Sequence, residues 1–61
     1  MSTTATYRIS LFDHELDRWS LSLARDHLEG PSVGLSWREM GRALRRLRRQ
    51  WDDLSILVEA E

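Results

Sequence analysis

The chain has 61 residues, no cysteine and a formal net charge of −1, with 41% hydrophobic and 31% charged residues. This length allows one small domain and leaves little volume for an enclosed active site, so we expect a protein that is not an enzyme. Without cysteine the chain forms no disulfide and no thiolate metal site, and no apolar run is long enough to span a bilayer. We expect a soluble cytoplasmic protein with a disordered segment at residues 1–5 and a single domain at residues 6–61.

The N-terminal half of the chain predicts a strand followed by a helix. Residues 6–12 alternate apolar and polar side chains, which is typical of a strand with one buried face. Residues 13–29 carry apolar side chains three or four positions apart, which indicates an amphipathic helix. This stripe consists of Phe12, Leu16, Trp19, Leu23 and His27. We expect Asp13 to cap the start of the helix and Gly30 to provide the left-handed residue that ends it.

The helix over residues 36–51 is predicted by both its first turn and its periodicity. Ser36 and Glu39 fit a capping box, in which each side chain accepts the backbone N–H of the other residue. Leu35 and Met40 occupy the positions of a hydrophobic staple. Apolar residues then recur at spacings of three and four and form an apolar seam along one side. The seam consists of Trp37, Met40, Leu44, Leu47 and Trp51.

The C-terminal segment predicts a second strand. Apolar side chains alternate along residues 54–60 from Leu54 onwards, and the β-branched Ile56 and Val58 favour extended structure. The expected fold is therefore α+β, in the order strand-helix-helix-strand, with two helices packed on a short two-stranded sheet. Because such a sheet has exposed edges, we expect a homodimer with a four-stranded sheet. The alternative is an all-helical chain in which the second helix continues through Leu57.

Basic residues are concentrated in the second predicted helix. All nine are arginines, and six of them fall between positions 38 and 49. At about 100° per residue, most of the six project from the side opposite the apolar seam. We call five of them the arginine surface: Arg38, Arg42, Arg45, Arg46 and Arg49. Like charges three or four positions apart repel one another on a helix, so this pattern indicates an anionic partner. The alternative is a solvated helix face without a partner.

The arginine surface favours nucleic acid as the partner, because guanidinium groups neutralise phosphates and bind guanine edges in the major groove. The leading prediction is a small regulatory protein that binds nucleic acid through these residues. The alternative is a protein-interaction module or inhibitor that binds an acidic or nucleic-acid-binding site on a larger protein. The net charge of −1 favours this alternative, since DNA-binding domains are usually basic overall. A third possibility is a structural subunit that assembles through its strand edges.

The remaining polar residues do not predict catalysis or metal binding. His14 lies close in sequence to Asp13 and Asp17, but a metal site needs three or four ligands with fixed geometry. His27 lies at the far end of the same predicted helix. The serines have no partner base, and the sequence contains no phosphate-binding or nucleophile-elbow motif. We expect no metal, no cofactor, no small-molecule substrate and no membrane binding.

Overall fold

The computed structural model describes residues 5–61, and it confirms the α+β class. In chain order the elements are β1 (Tyr7–Asp13), β2 (Arg18–Ser20), α1 (Leu21–Leu28), α2 (Trp37–Leu47), a 3-10 turn (Asp53–Ser55) and β3 (Ile56–Ala60). The strands form one antiparallel sheet in the order β2-β1-β3, so the sheet has three strands rather than the two predicted. The segment predicted to be disordered, residues 1–5, lies outside the described residues apart from Ala5.

The prediction of a helix over residues 13–29 is wrong for its first half, which forms a β-hairpin. The Asp13 carboxylate accepts the N–H groups of Glu15 at 3.0 Å and Leu16 at 3.1 Å, and so holds a tight turn. Asp17 follows with a left-handed φ of 54°, a conformation that an α-helix cannot contain. Local hydrogen bonding by an aspartate has therefore overridden the helical spacing of the apolar side chains.

Helix α1 begins only after this hairpin. The Ser20 hydroxyl caps it by accepting the N–H of Leu23 at 3.1 Å. The helix ends at Glu29, whose φ of 56° is left-handed and whose N–H donates to the carbonyl of Arg25. The prediction that Gly30 would supply the left-handed residue is therefore wrong by one position. The predicted apolar stripe does not lie on one helix. Phe12 and Trp19 instead pair across β1 and β2.

Helix α2 confirms the predicted start and the middle of the apolar seam. The capping box between Ser36 and Glu39 is formed in both directions. Met40 and Leu47 are buried, with 6% and 3% of their surface exposed. The helix ends four residues earlier than predicted, so Trp51 lies beyond the turn that follows it. Trp37 is 70% exposed, and it does not belong to the core as the seam predicted.

Strand β3 confirms the predicted C-terminal strand and excludes the all-helical alternative. It pairs antiparallel with β1, with Val58 opposite Ile9 and Glu59 opposite Arg8. The strand is two residues shorter at its start than predicted, because the chain first makes the 3-10 turn. Leu54 lies in that turn and is 92% exposed, although the alternation placed it on the buried face.

One hydrophobic core joins the helices to the inner face of the sheet. Ile9 and Leu11 in β1 are fully buried at its centre. Helix α1 packs mainly against this strand, and α2 packs against both α1 and β1. The other buried apolar residues are Ala24, Leu28, Leu35, Met40 and Leu47. Across residues 5–61, neither helix has the length and apolar composition needed to cross a membrane. The core therefore fixes α2 with its apolar side inward and its opposite side toward solvent.

Candidate arginine surface

The packing of α2 directs the arginine surface toward solvent. Met40 and Leu47 lie in the core, and they set the rotation of the helix. Arg38, Arg42 and Arg45 then project from the other side, since they lie on the opposite half of a helical wheel. All five members of the arginine surface are exposed, and Arg49 lies in the turn after the helix rather than on it. The folded chain therefore exposes all five side chains of the arginine surface to solvent.

Arg46 differs from the other members because it holds α2 against the end of α1. Its guanidinium donates to the Glu29 carboxylate at 2.7 Å and to the Leu28 carbonyl at 3.1 Å. Arg48, which is outside the arginine surface, donates to the Asp53 carboxylate at 2.9 Å and so ties the end of α2 to the 3-10 turn. Two of the six clustered arginines thus have structural partners that spacing in the sequence did not reveal.

The other four members of the arginine surface carry unneutralised charge. Within residues 5–61, no carboxylate lies within salt-bridge distance of Arg38, Arg42, Arg45 or Arg49. Solvent screening reduces their mutual repulsion but does not remove it. These four guanidinium groups are available to an external anion without the loss of an existing ion pair.

Glu39, the only acidic residue of α2, is committed to the helix cap. Its carboxylate accepts the backbone N–H of Ser36 at 2.9 Å, and this hydrogen bond is the main cause that lowers the pKa of Glu39. A hydrogen bond with the Ser36 side chain and the positive charge of Arg42 lower the pKa of Glu39 further. The carboxylate is thus ionised at neutral pH, but its oxygen is directed to the start of the helix.

A cleft with an aromatic wall lies next to Arg49. The rings of His27 and Trp51 meet edge to face, with centroids 5.1 Å apart and an interplanar angle of 81°. Arg46, Arg49 and Gln50 line the same cleft, which has a volume of about 190 Å³. The sequence did not indicate this arrangement, because Trp51 was expected to continue the apolar seam. Its formation depends on the chain turning after Leu47.

The three tryptophans differ in exposure, which the sequence could not rank. Trp37 is the most exposed, and its ring and that of Tyr7 meet edge to face with centroids 5.7 Å apart. Trp19 is 41% exposed and Trp51 is half-buried. Trp37 therefore places a large aromatic side chain at the surface, directly before Arg38 in the chain.

Each of the two histidines contacts an aromatic ring. The rings of His14 and Phe12 meet edge to face with centroids 5.0 Å apart, and His27 contacts Trp51. Within residues 5–61, no three histidine or acidic side chains come together as metal ligands would. The chain matches no protein-family model, and searches of curated proteins and of solved structures found no significant similarity.

Proposed function

We propose that this protein is a small, non-enzymatic regulatory protein whose arginine surface binds a polyanion, with nucleic acid as the leading ligand. The observation that carries the proposal is the set of exposed arginines in α2 and the turn after it that have no carboxylate partner among the described residues. Arg38, Arg42, Arg45 and Arg49 would contact phosphates directly. Arg46, already bonded to Glu29, would contribute an auxiliary contact. We further propose that the protein acts in the cytoplasm as a homodimer.

The distribution of charge supports a ligand rather than a merely solvated helix face. A solvated face tolerates acidic residues interspersed among the basic ones, and such pairs stabilise a helix by about 0.2–0.5 kcal/mol each. Here the single carboxylate of α2 is used in the cap, and the guanidinium groups repel one another. A bound polyanion relieves that repulsion and releases counterions from the nucleic acid, which favours association at low salt.

The cleft beside Arg49 supports nucleic acid among the possible polyanions. Aromatic rings bind bases by stacking, and arginines next to them hold the phosphate backbone. Trp51 and His27 form the aromatic wall, while Arg46 and Arg49 are the adjacent cations. An unpaired base could therefore contact the cleft while the flanking phosphates contact α2. This arrangement predicts that single strands bind at least as well as duplex.

The second candidate function is a protein-interaction module that binds an acidic surface. The exposure of Trp37 next to Arg38 favours it, because tryptophan and arginine are the residue types that dominate protein interfaces. The net charge of −1 also favours it, since the protein as a whole would be repelled by bulk nucleic acid. In this function Trp37 would be the central contact and the arginines would select acidic partners.

The test compares two double variants that remove the same charge from different places. Arg42→Gln with Arg45→Gln alters the arginine surface, whereas Arg18→Gln with Arg25→Gln alters exposed arginines in β2 and α1. Binding to a labelled duplex and to a single strand of the same sequence is measured by fluorescence anisotropy between about 50 and 200 mM salt. We expect the logarithmic salt slope to become shallower by about two units in the first variant and to remain unchanged in the second.

Equal losses in both double variants would show that only overall charge matters, and would contradict the assignment of the arginine surface. Poly-glutamate of similar charge serves as the competitor that separates the two functions. If it displaces nucleic acid fully, and Trp37→Ala weakens its binding more than that of nucleic acid, the protein-binding function is favoured. Absence of binding to either polymer at low salt would overturn both and leave a solvated helix face.

A further inference from the structure

The backbone hydrogen bonds of β1 show which of its residues direct their N–H and carbonyl groups toward β3. Tyr7 and Leu35 exchange backbone hydrogen bonds at 2.8 and 3.0 Å, and the N–H of Ile9 donates to the Ser32 carbonyl at 2.8 Å. These groups point away from β3, on the β2 side of the strand. Because backbone groups alternate in direction along a strand, those of Arg8 and Ser10 point toward β3.

The same alternation leaves a free edge on β3. Leu57 and Glu59 lie opposite Ser10 and Arg8, so their backbone groups bond to β1. The backbone N–H and carbonyl groups of the alternate residues, Ile56, Val58 and Ala60, therefore point outward. The N–H of Ile56 is already bonded to the Asp53 carbonyl. The outward edge therefore offers the Ile56 carbonyl, both groups of Val58 and both groups of Ala60, and within residues 5–61 no strand pairs with it.

The helices also leave the inner face of β3 partly uncovered. Helix α1 packs mainly over β1, and α2 packs over β1 and α1 rather than over β3. Ile56 and Val58 remain only half-buried although they point to the core side. The opposite edge of the sheet is different, because β2 is only three residues long and the segment from Ser32 to Leu35 bonds to the rest of β1. The β3 edge is therefore the long, continuous edge of the described sheet, and apolar side chains flank it.

We propose that a second copy of this chain binds along the β3 edge, antiparallel, with Val58 opposite Val58 of the second copy. In this register the N–H of each Val58 donates a hydrogen bond to the carbonyl of Val58 in the other copy. Each Ala60 N–H donates to the Ile56 carbonyl of the other copy, which is the group left free by the 3-10 turn. The two sheets join into one continuous six-stranded sheet, instead of the four strands expected from the sequence.

The side chains and charges fit the same two-fold register. On the inner face, Val58 lies beside Val58 of the second copy, and Ile56 lies beside Ala60 of the second copy. Apolar side chains therefore cover each other. On the outer face, Leu57 lies opposite Glu59 of the second copy, which keeps the two Glu59 carboxylates from facing each other directly. Glu59 is already paired with Arg8 at 3.2 Å. Like charges directly opposite each other would destabilise the pairing, and this register avoids them.

The test measures mass and amide protection on the protein without nucleic acid. Sedimentation equilibrium should show twice the chain mass as the concentration rises to tens of micromolar. Hydrogen exchange of the Val58 and Ala60 amides should slow with increasing concentration, because these N–H groups are bonded only in the dimer. The Leu57 and Glu59 amides bond to β1 within one chain and should be protected more similarly at all concentrations.

Two edge variants and a matched control complete the experiment. Val58→Pro removes an outward N–H, which an edge strand tolerates, and should weaken the dimer at least about tenfold. Ala60→Lys adds a charge at the edge and should weaken it as well, whereas Ser22→Lys places the same charge on the exposed side of α1 and should not. The lysine pair keeps the test valid if the proline variant fails to fold.

A chain that remains monomeric up to several hundred micromolar would overturn the proposal. So would a dimer that is unaffected by Ala60→Lys, or one in which the Val58 amide exchanges equally fast at all concentrations. These outcomes do not depend on the arginine surface, so failure of the dimer and failure of nucleic-acid binding are separate results.

Discussion

Arg42 and Arg46 lie one helical turn apart on α2, yet the structure gives them different surroundings. Arg42 is exposed and has no carboxylate partner among the described residues, although its charge lowers the pKa of Glu39. Arg46 reaches across to the end of α1 and bonds both Glu29 and the Leu28 carbonyl. Such carbonyls at a helix C-terminus lack partners within the helix, so a cation there also complements the helix dipole. Arg46 therefore contributes to the fold as well as to the surface charge.

This difference predicts unequal effects on stability for the same substitution. Arg46→Gln should lower the free energy of unfolding by about 1 kcal/mol, since the ion pair is exposed and weak but the carbonyl hydrogen bond is also lost. Arg42→Gln should change it by no more than about 0.5 kcal/mol. Urea unfolding followed by tryptophan fluorescence measures both. Equal effects would show that the contact of Arg46 with α1 does not stabilise the fold.

At the scale of a single element, the capping box defines where α2 begins. Ser36 and Glu39 satisfy each other's backbone N–H groups at 3.1 and 2.9 Å, so the helix starts with its first-turn donors partly bonded. Leu35, immediately before the cap, and Met40 both lie in the core. The start of the arginine surface is therefore positioned by a local motif that is anchored on both sides of the cap.

The lowered pKa of Glu39 predicts a pH dependence of stability with a definite sign. The ionised carboxylate stabilises the folded state fully above its ordinary, unfolded pKa of about 4.5, and this contribution is lost as the pH falls through the lower folded pKa. Glu39→Gln keeps a hydrogen-bond acceptor but does not titrate. The stability difference between the wild type and Glu39→Gln should therefore shrink only in acid, which urea unfolding at a series of pH values would show.

A direct measurement of the same group is an NMR titration of Glu39. The folded-state pKa should lie below that of an unstructured glutamate, and Ser36→Ala should shift it back upward because the side-chain hydrogen bond is lost. A stability difference that stays constant from neutral pH to about pH 3 would contradict the role given to the ionised carboxylate.

At the scale of the whole molecule, one small core connects all the larger elements. Buried residues from β1, α1, α2 and the α1–α2 loop form a single cluster around Ile9 and Leu11. A domain of this size has a stability of only about 3–9 kcal/mol, so loss of one buried side chain removes a large share of it. The orientation of the arginine surface depends on this cluster, because it holds the inner side of α2.

Two leucines of α2 test that dependence. Leu47→Ala should lower the free energy of unfolding by about 2–5 kcal/mol, because Leu47 is almost fully buried and its removal leaves a cavity. Leu44 is only half-buried at the flank of the core, so Leu44→Ala should cost about 1–2 kcal/mol. Chemical unfolding at low temperature measures both variants. A smaller loss at Leu47 than at Leu44 would contradict the observed rotation of α2.

The sequence by itself determined the features that depend on neighbouring residues. The alternation in β1 and β3, the capping box of α2 and the outward direction of Arg38, Arg42 and Arg45 all follow from local spacing. These elements have one strong periodicity and, for α2, a capping motif at its start that agrees with it. Predicted and observed structures agree for these features, and they differ at the start of β3, where the local hydrogen bonds of the 3-10 turn compete with the strand.

Only the tertiary structure decided the features in which local signals competed or distant residues met. Residues 13–20 have helical spacing, but the Asp13 turn and the pairing of Phe12 with Trp19 made them a hairpin. The partner of Arg46 lies in another helix, and the cleft at Trp51 depends on where α2 stops. Periodicity describes one element at a time, whereas these features arise from contacts between elements that lie far apart in the chain.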